Sequence, residues 1–360
     1  MLRFSFFLEL HPSVYVLKYM RIEENVVLAP YTTFKIGGPA DFFCTVTTKK
    51  DLEKAIVFSK EKKIPYHILG GGSNMLIADS GFRGLVIKFV LRGFIWKELN
   101  SKSVLVTVAS GENWDAFVAE AVSRGVYGVE NLSGIPGSVG GTPIQNVGAY
   151  GAEVADVIES VTAYNTETLV FQNFSNKECG FGYRDSYFKT PRGKDYIVID
   201  VTFVLQKEGR FNLSYKDLTK YFTDRGVAPT LTSVRAAVLE IRGKKFPDLQ
   251  KFGTAGSFFK NPIVPKRDAE RLKKKFTDMP MFSVSENKIK IPAAWLIEHI
   301  GGFKGMESNS VGSFENQALV IVNYDKARAL DVLEFAHSIT EDIFLKTGIR
   351  LEREVQLLGF

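Results

Sequence analysis

Apolar residues come in short runs, and their period switches between strand and helix along the chain. Residues 41–46, 66–69 and 84–89 read as short buried strands. In 103–109, Val104, Val106 and Val108 fall on one face of another. Behind Asp51, Leu52, Ala55 and Ile56 recur at helical spacing. This predicts a helix capped by Asp51 that ends near Lys63, with Pro65 beyond. Residues 112–124 carry Trp114, Phe117, Val118, Ala121 and Val122 on one side and stop at Gly125, a second helix. Residues 160–164 and 169–174 flank a polar turn, and 196–205 is a further strand. Residues 232–242 are helical by Val234, Val238 and Ile241. After Pro247 come a basic helix at 266–276 and a helix at 293–300 opened by Pro292 and ended by Gly301 and Gly302. A strand at 318–322, a long amphipathic helix at 325–346 closed by Gly348, and a strand at 349–358 complete the pattern. No repeat interrupts it. The expected class is α+β, with a β-rich middle and an α/β unit after it.

The chain's 360 residues exceed what one core usually holds, so two or three domains are expected. Residues 1–19 have apolar stretches broken by Glu9, His11 and Pro12, and Met20 opens a more polar segment. We read 1–19 as an N-terminal extension, with the true start at Met20 as one account of it. No run reaches the ~20 apolar residues of a membrane helix. Cys44 and Cys179 lie far apart, and His11, His67, His299 and His337 form no ligand spacing with them. The sequence therefore gives no support for a disulfide framework or metal site, and its cysteine usage fits a cytoplasmic protein. A net charge of +6 suits nucleic acid, a membrane surface, phosphorylated small molecules or merely a solvated basic surface.

Two glycine-rich segments narrow this. Gly70, Gly71, Gly72, Ser73 and Asn74 follow a buried strand directly. Their backbone can approach a diphosphate closely and offer it several N–H groups; a tight turn is the plainer explanation. Residues 128–151 have neither helix nor strand period, yet they hold Ile135, Val139, Ile144 and Val147 among many glycines. A long irregular stretch with apolar residues points to function rather than disorder. Together the two loops suggest one extended cofactor with a diphosphate and a ring.

The motifs then become specific. Residues 31–38 (YTTFKIGG), 70–74 (GGGSN), 135–151 (IPGSVGGTPIQNVGAYG), 178–189 (ECGFGYRDSYFK), 255–262 (AGSFFKNP) and 351–355 (LEREV) occur in the order seen in the UDP-N-acetylenolpyruvoylglucosamine reductases. The chain resembles that family over nearly all its length after residue 30. The resemblance implies a FAD-binding fold of the vanillyl-alcohol-oxidase type in two subdomains, at 20–95 and 96–245. It also implies an α/β substrate domain at 246–348 and a final strand at 349–360 returning toward the FAD-binding part. Noncovalent FAD, NADPH and a UDP-sugar substrate are the expected ligands, with neither nucleic acid nor membrane as partner. The sequence assigns no oligomeric partner.

By the same resemblance, Gly70, Gly71, Gly72, Ser73, Asn74, Gly137, Ser138, Gly141, Asn146, Gly148, Ala149 and Tyr150 hold the cofactor. Reducing an enolpyruvyl group requires stabilisation of its carboxylate and a proton for the carbon beside it. Arg184, in YRDS, has the fork to grip a carboxylate; on composition alone it would be a surface partner of Asp185. Ser257 is the expected proton donor, although Gly256 and Ser257 alone would read as a turn or helix cap. Glu354 is expected to orient a water or share a proton. Tyr215 (in LSYKDL), Lys245 (KKFPD), Asn261 (FFKNP) and Gln317 (NQALVIVN) are the expected substrate contacts, and Tyr215 places the chain with the branch that closes a tyrosine-bearing loop. Arg353 and Gln356 depart from the Pro and Arg of many members, and residues 35–38 are more like the other branch. A sugar or aldonolactone oxidase of the same fold and a colourless nucleotide- or RNA-binding protein are the competing readings.

Overall fold

The computed structural model describes residues 14–17 and 20–360; most of the segment read as an extension lies outside them. Two compact units emerge. The first gathers residues up to 26 with 40–71 and 82–242; the second gathers 27–39, 72–81 and 243–360. Segments 27–39 and 72–81, grouped by the sequence with the first subdomain, thus pack with the C-terminal part.

In the first unit one sheet has the order Val14–Leu17, Met20–Val27, Pro39–Val46, Phe82–Phe89, Tyr66–Leu69. Val14–Leu17 forms an antiparallel hairpin with Met20–Val27, so those four residues of the supposed extension are an edge strand. Pro39–Val46 and Tyr66–Leu69 both run parallel to Phe82–Phe89. Helix α1 (Lys49–Lys62) links the first of these to Tyr66–Leu69 and buries Leu52, Ala55, Ile56 and Phe58. Its cap is Thr48, not Asp51: Thr48 Oγ1 accepts the Asp51 N–H at 3.1 Å. A second, fully antiparallel sheet has the order Val170–Ser175, Ile158–Asn165, Tyr196–Gln206, Ser103–Ala109, Phe94–Glu98. Helix α2 (Trp114–Ser123) begins at an Asn113 cap that accepts Ala116 N–H at 2.9 Å. Its apolar face seats Phe117 against Phe203, ring centroids 4.9 Å apart, and Trp114 beside both. Each large side chain so buried stabilises the unit by about 2 kcal/mol. Helices α3 (Lys216–Arg225) and α4 (Leu231–Lys245) close a smaller core around Tyr150.

The second unit is built on an antiparallel sheet, Gly253–Ser257, Gln317–Asn323, Val311–Phe314, Glu307–Ser308, covered by α6 (Ala329–Thr347). The basic helix α5 (Lys266–Lys275) packs beside a small sheet of Ile263–Pro265, Lys288–Lys290 and Phe282–Ser285. The helix expected at 293–300 starts at Ala293 and widens into a π-helical stretch, Leu296–Gly301, before Gly302 ends it at φ 73°. Helix α6 starts later than its periodicity predicts, because Asp331 accepts the Arg328 N–H and fixes the first turn there. The predicted last strand shrinks to Gln356–Leu358, which pairs in parallel with Met75–Ile77. Among the described residues no helix is long and apolar enough to cross a membrane, and no His, Cys, Asp and Glu cluster could hold a metal. Cys44 and Cys179 are buried free thiols, each pushed up to about 12 by burial and then by a neighbouring carboxylate, Asp51 or Glu178.

Candidate active site

The strand Tyr66–Leu69 delivers Gly70 and Gly71 to the segment 137–138. A Cβ on Gly71 would lie 2.5 Å from Gly137 Cα, and one on Gly70 would strike Ser138 Oγ. Two main chains therefore touch where only glycine permits it. Among the described residues the amides of Gly71, Gly137 and Ser138 donate to no protein carbonyl. Lys88 donates to Gly70 O from beneath; burial and then Arg92 lower its pKa. His67, on the same strand, is pulled down to about 4 by burial, so its ring is neutral at pH 7.

The rest of the long loop is wired inward. Trp114 Nε1 donates to Leu132 O at 2.8 Å. Asn146 is 1% exposed. Its Nδ2 donates to Glu153 Oε2 at 2.6 Å and Gly182 O at 3.0 Å, while its Oδ1 accepts Ala155 N–H at 3.1 Å. This side chain ties the loop to the turn that carries Arg184. That turn closes by Gly182 N–H to Asp185 O at 3.0 Å and Asp185 N–H to Gly182 O at 3.2 Å, with Arg184 at φ 52°. Left-handed backbone at an arginine is strained and persists only where neighbours over-determine it. Arg184 Nη2 in return donates to Gly148 O at 2.8 Å. Arg184 is thereby brought to Gly148, Ala149 and Asn146 of the loop. Gly141 turns back on Ser138, its N–H donating to Ser138 O at 3.1 Å. Tyr215 stands at the N-cap of α3, its ring edge-on to Tyr150 at 5.0 Å.

In the second unit, Gly72 at φ 63° accepts Thr33 N–H through its carbonyl at 3.0 Å. Beyond Ser73, Asn74 joins the same unit's last segment: Nδ2 donates to Glu354 O at 3.3 Å, and its carbonyl accepts Gln356 N–H at 3.1 Å. Ser257 ends the strand Gly253–Ser257 opposite Val320, so it caps no helix. Gly256 before it lies at φ 77°. The next residue is gripped on both sides: Phe258 N–H donates to Leu319 O at 2.8 Å, and Phe258 O accepts Glu354 N–H at 2.9 Å. Ser257 and Glu354 therefore sit on adjoining extended segments. Asn261 Oδ1 accepts Ala293 N–H at 2.9 Å. Gln317 starts the strand that passes Ser257; its Oε1 accepts Leu319 N–H at 3.4 Å. Lys245 is the final residue of α4. Arg353 pairs with Phe259 through the main chain, and both Arg353 and Gln356 are exposed.

Residues 40–169 match the FAD binding domain family, and residues 248–358 match the C-terminal domain of UDP-N-acetylenolpyruvoylglucosamine reductase. The chain is 40% identical over 341 residues to the UDP-N-acetylenolpyruvoylglucosamine reductase of Flavobacterium johnsoniae, covering 94% of this chain and 100% of that one. It belongs to the UDP-N-acetylenolpyruvoylglucosamine reductase family. The reductase of Pseudomonas aeruginosa is 37% identical over 339 residues, with 94% and 99% of the two chains covered. The crystal structure of the Thermus caldophilus reductase superposes with a TM-score of 0.67 at 28% identity, over 95% of this chain and 100% of that one. The α+β architecture with a FAD-binding part and a reductase C-terminal domain follows from these matches.

The first unit's loops fit the cofactor of a reductase of this family. The Gly71–Gly137 contact makes a cradle that a Cβ would fill, and its amides of Gly71, Gly137 and Ser138 supply donors of the kind a diphosphate accepts. Sequence reasoning missed Lys88 beneath Gly70, and Asn131, which is 3% exposed and donates to Tyr150 O at 2.9 Å. Lysine on a strand and asparagine in a loop carry no periodic signal; only their placement marks them. Asn146, expected among the cofactor contacts, has its side chain committed to protein groups.

Proposed function

We propose that this chain reduces UDP-N-acetylenolpyruvoylglucosamine to UDP-N-acetylmuramate with NADPH through noncovalently bound FAD, a step in peptidoglycan precursor synthesis. The observation that carries this is full-length identity of 40% with a reductase of that name, spanning both units. FAD, when bound, supplies a carrier that takes hydride from NADPH and gives it to the terminal enolpyruvyl carbon. Everything else falls to the chain. Arg184 receives the substrate carboxylate, whose charge grows as hydride arrives; a guanidinium held by Gly148 O needs little rearrangement to act. Ser257 gives its hydroxyl proton to the adjacent carbon, and Glu354 orients water or shares that proton. Tyr215, Lys245, Asn261 and Gln317 hold the sugar nucleotide, a phenol, an ammonium and amides being suited to phosphate and polar oxygens. Gly70 to Asn74, with Gly137, Ser138, Gly141, Asn146, Gly148, Ala149 and Tyr150, line the cofactor. A cytoplasmic location fits a reaction that draws on NADPH and nucleotide sugars. An oxidase of related fold would consume oxygen with a sugar alcohol and need no NADPH, and none of the full-length relatives cited above bears such a name. Purified protein should show a flavin spectrum and oxidise NADPH in preference to NADH when the enolpyruvyl sugar nucleotide is added. A flavin-loaded sample that turns over neither nicotinamide would defeat the reading.

A further inference from the structure

Within the first unit, the segment leading to Tyr215 is stitched to the glycine loop. Asn131 Nδ2 donates both to Tyr150 O at 2.9 Å and to Asn212 O at 2.8 Å. Asn212 Nδ2 donates to Gly151 O at 2.8 Å, and its Oδ1 accepts Ser214 Oγ–H at 2.6 Å. Tyr150 has left-handed backbone, φ 50°, and is 7% exposed, enclosed by Leu218 and Phe222 of α3 and Val234, Ala237 and Val238 of α4. Arg242 lies one helical turn beyond Val238, which packs on Tyr150, and its guanidinium comes within hydrogen-bonding reach of the Tyr150 hydroxyl. Arg242 Nε also donates to Gly134 O at 3.1 Å. The opposite side of that glycine is held by Asp115, whose Oδ1 accepts Gly134 N–H at 2.5 Å and which pairs doubly with Arg235 at 2.6 and 2.8 Å. One helix, α4, thus fixes both the loop entry at Gly134 and the phenol at its exit. Against that phenol's ring lies Tyr215, 39% exposed, at an interplanar angle of 80°.

We propose that Arg242 is a positioning residue for the sugar-nucleotide site: by holding Tyr150 it sets the platform on which Tyr215 rests, and so the place from which Tyr215 meets the substrate. The idea rests on the function proposed above and on Tyr215 being a substrate contact. Arg242 itself touches neither substrate nor cofactor and acts through Tyr150. An edge-to-face ring contact is geometrically selective, so a tilted Tyr150 would shift Tyr215 even while the fold persists.

The test is steady-state kinetics on flavin-loaded Arg242→Met, Arg242→Lys, Tyr150→Phe and Tyr215→Phe proteins and on the Arg242→Met/Tyr215→Phe double variant. Arg242→Met should raise KM for the sugar nucleotide about tenfold, the loss expected of one charged hydrogen bond. Its rate of flavin reduction by NADPH alone should change much less than that KM. Arg242→Lys, which still reaches as a donor, should recover part of the loss. Tyr150→Phe deletes only the hydroxyl and should raise KM like Arg242→Met, so the test survives if Arg242→Met does not fold. In the Tyr215→Phe background, Arg242→Met should add much less than it does alone. An unchanged KM in Tyr150→Phe, or effects of Arg242→Met and Tyr215→Phe that multiply in full, would overturn the proposal. An unmodified protein that binds flavin but never turns over the sugar nucleotide would instead overturn the parent function, and this inference with it.

Discussion

At the scale of single residues, the two half-reactions separate what each side chain is for. Ser257→Ala should leave flavin bleaching by NADPH near normal while reoxidation by the enolpyruvyl substrate slows at least ~10²-fold, the lower end for losing a general acid. Stopped-flow absorbance distinguishes the two, and loss of the first half-reaction alone would move Ser257 out of the proton-donor role. Tyr215→Phe and Lys245→Ala should mainly raise KM for the sugar nucleotide, since contacts made equally in ground and transition states are uniform binding; a collapse of kcat with unchanged KM would contradict this. Asp115 tests the scaffold beneath. Burial alone would push its carboxyl up, but the Arg235 hydrogen bond, the Gly134 N–H and the charges of Arg235 and Arg242 hold it below the usual range. A lowered folded pKa means the stabilisation is full above the unfolded value and fades as pH falls through the folded one. The stability gap between unmodified protein and Asp115→Asn, on the order of 1–2 kcal/mol at pH 7 and read as a Tm difference, should therefore hold from neutral pH to about 5 and narrow progressively as pH falls below about 4. A gap that widens in acid would reverse the assignment. None of these roles was legible from residue type. A serine after glycine looks like a cap, and only the ordered motifs raised Ser257 above that.

At the scale of elements, strong periodicity was read well and weak periodicity was not. The strand Ser103–Ala109 buries Val104, Val106 and Val108 as alternation requires. Helix α2 was equally plain, with its boundary moved to Asn113 because a side-chain amide caps better than the preceding glutamate. Helix α3 was missed because it buries only Leu218 and Phe222 in an otherwise polar run. The strand Phe94–Glu98 was missed because it lies at a sheet edge with Ile95 70% exposed. The glycine loops were legible as unusual, but their backbone-on-backbone contact is a tertiary fact. It makes Gly71→Ala informative: a methyl 2.5 Å from Gly137 Cα must push the loops apart, an overpacking cost of about 1–3 kcal/mol. The variant should purify with much less flavin per chain while its far-ultraviolet circular dichroism is kept. Full flavin occupancy would show that the two loops can part without loss of the cofactor.

At the scale of the whole molecule, a net charge of +6 would favour the capture of NADPH and a UDP-sugar, both anions. The kcat/KM for each should fall as salt rises toward about 0.5 M, where screening is short-ranged; insensitivity to salt would leave the basic surface without a role in capture. The sequence divided the chain into consecutive blocks, whereas the second unit is assembled from 27–39, 72–81 and 243–360. No local signal could disclose that, because the pairings span the chain: Thr33 Oγ1 donates to Thr254 O at 2.6 Å, Asn323 Nδ2 donates to Phe34 O at 3.2 Å, and Met75–Ile77 pairs with Gln356–Leu358. During translation this order matters. Residues 75–77 leave the ribosome with an open strand edge and no partner until residues 356–358 have been made. For most of synthesis that edge is an invitation to wrong pairing, so a nascent chain stalled before residue 356 should be a client for chaperones in a way that the finished protein is not.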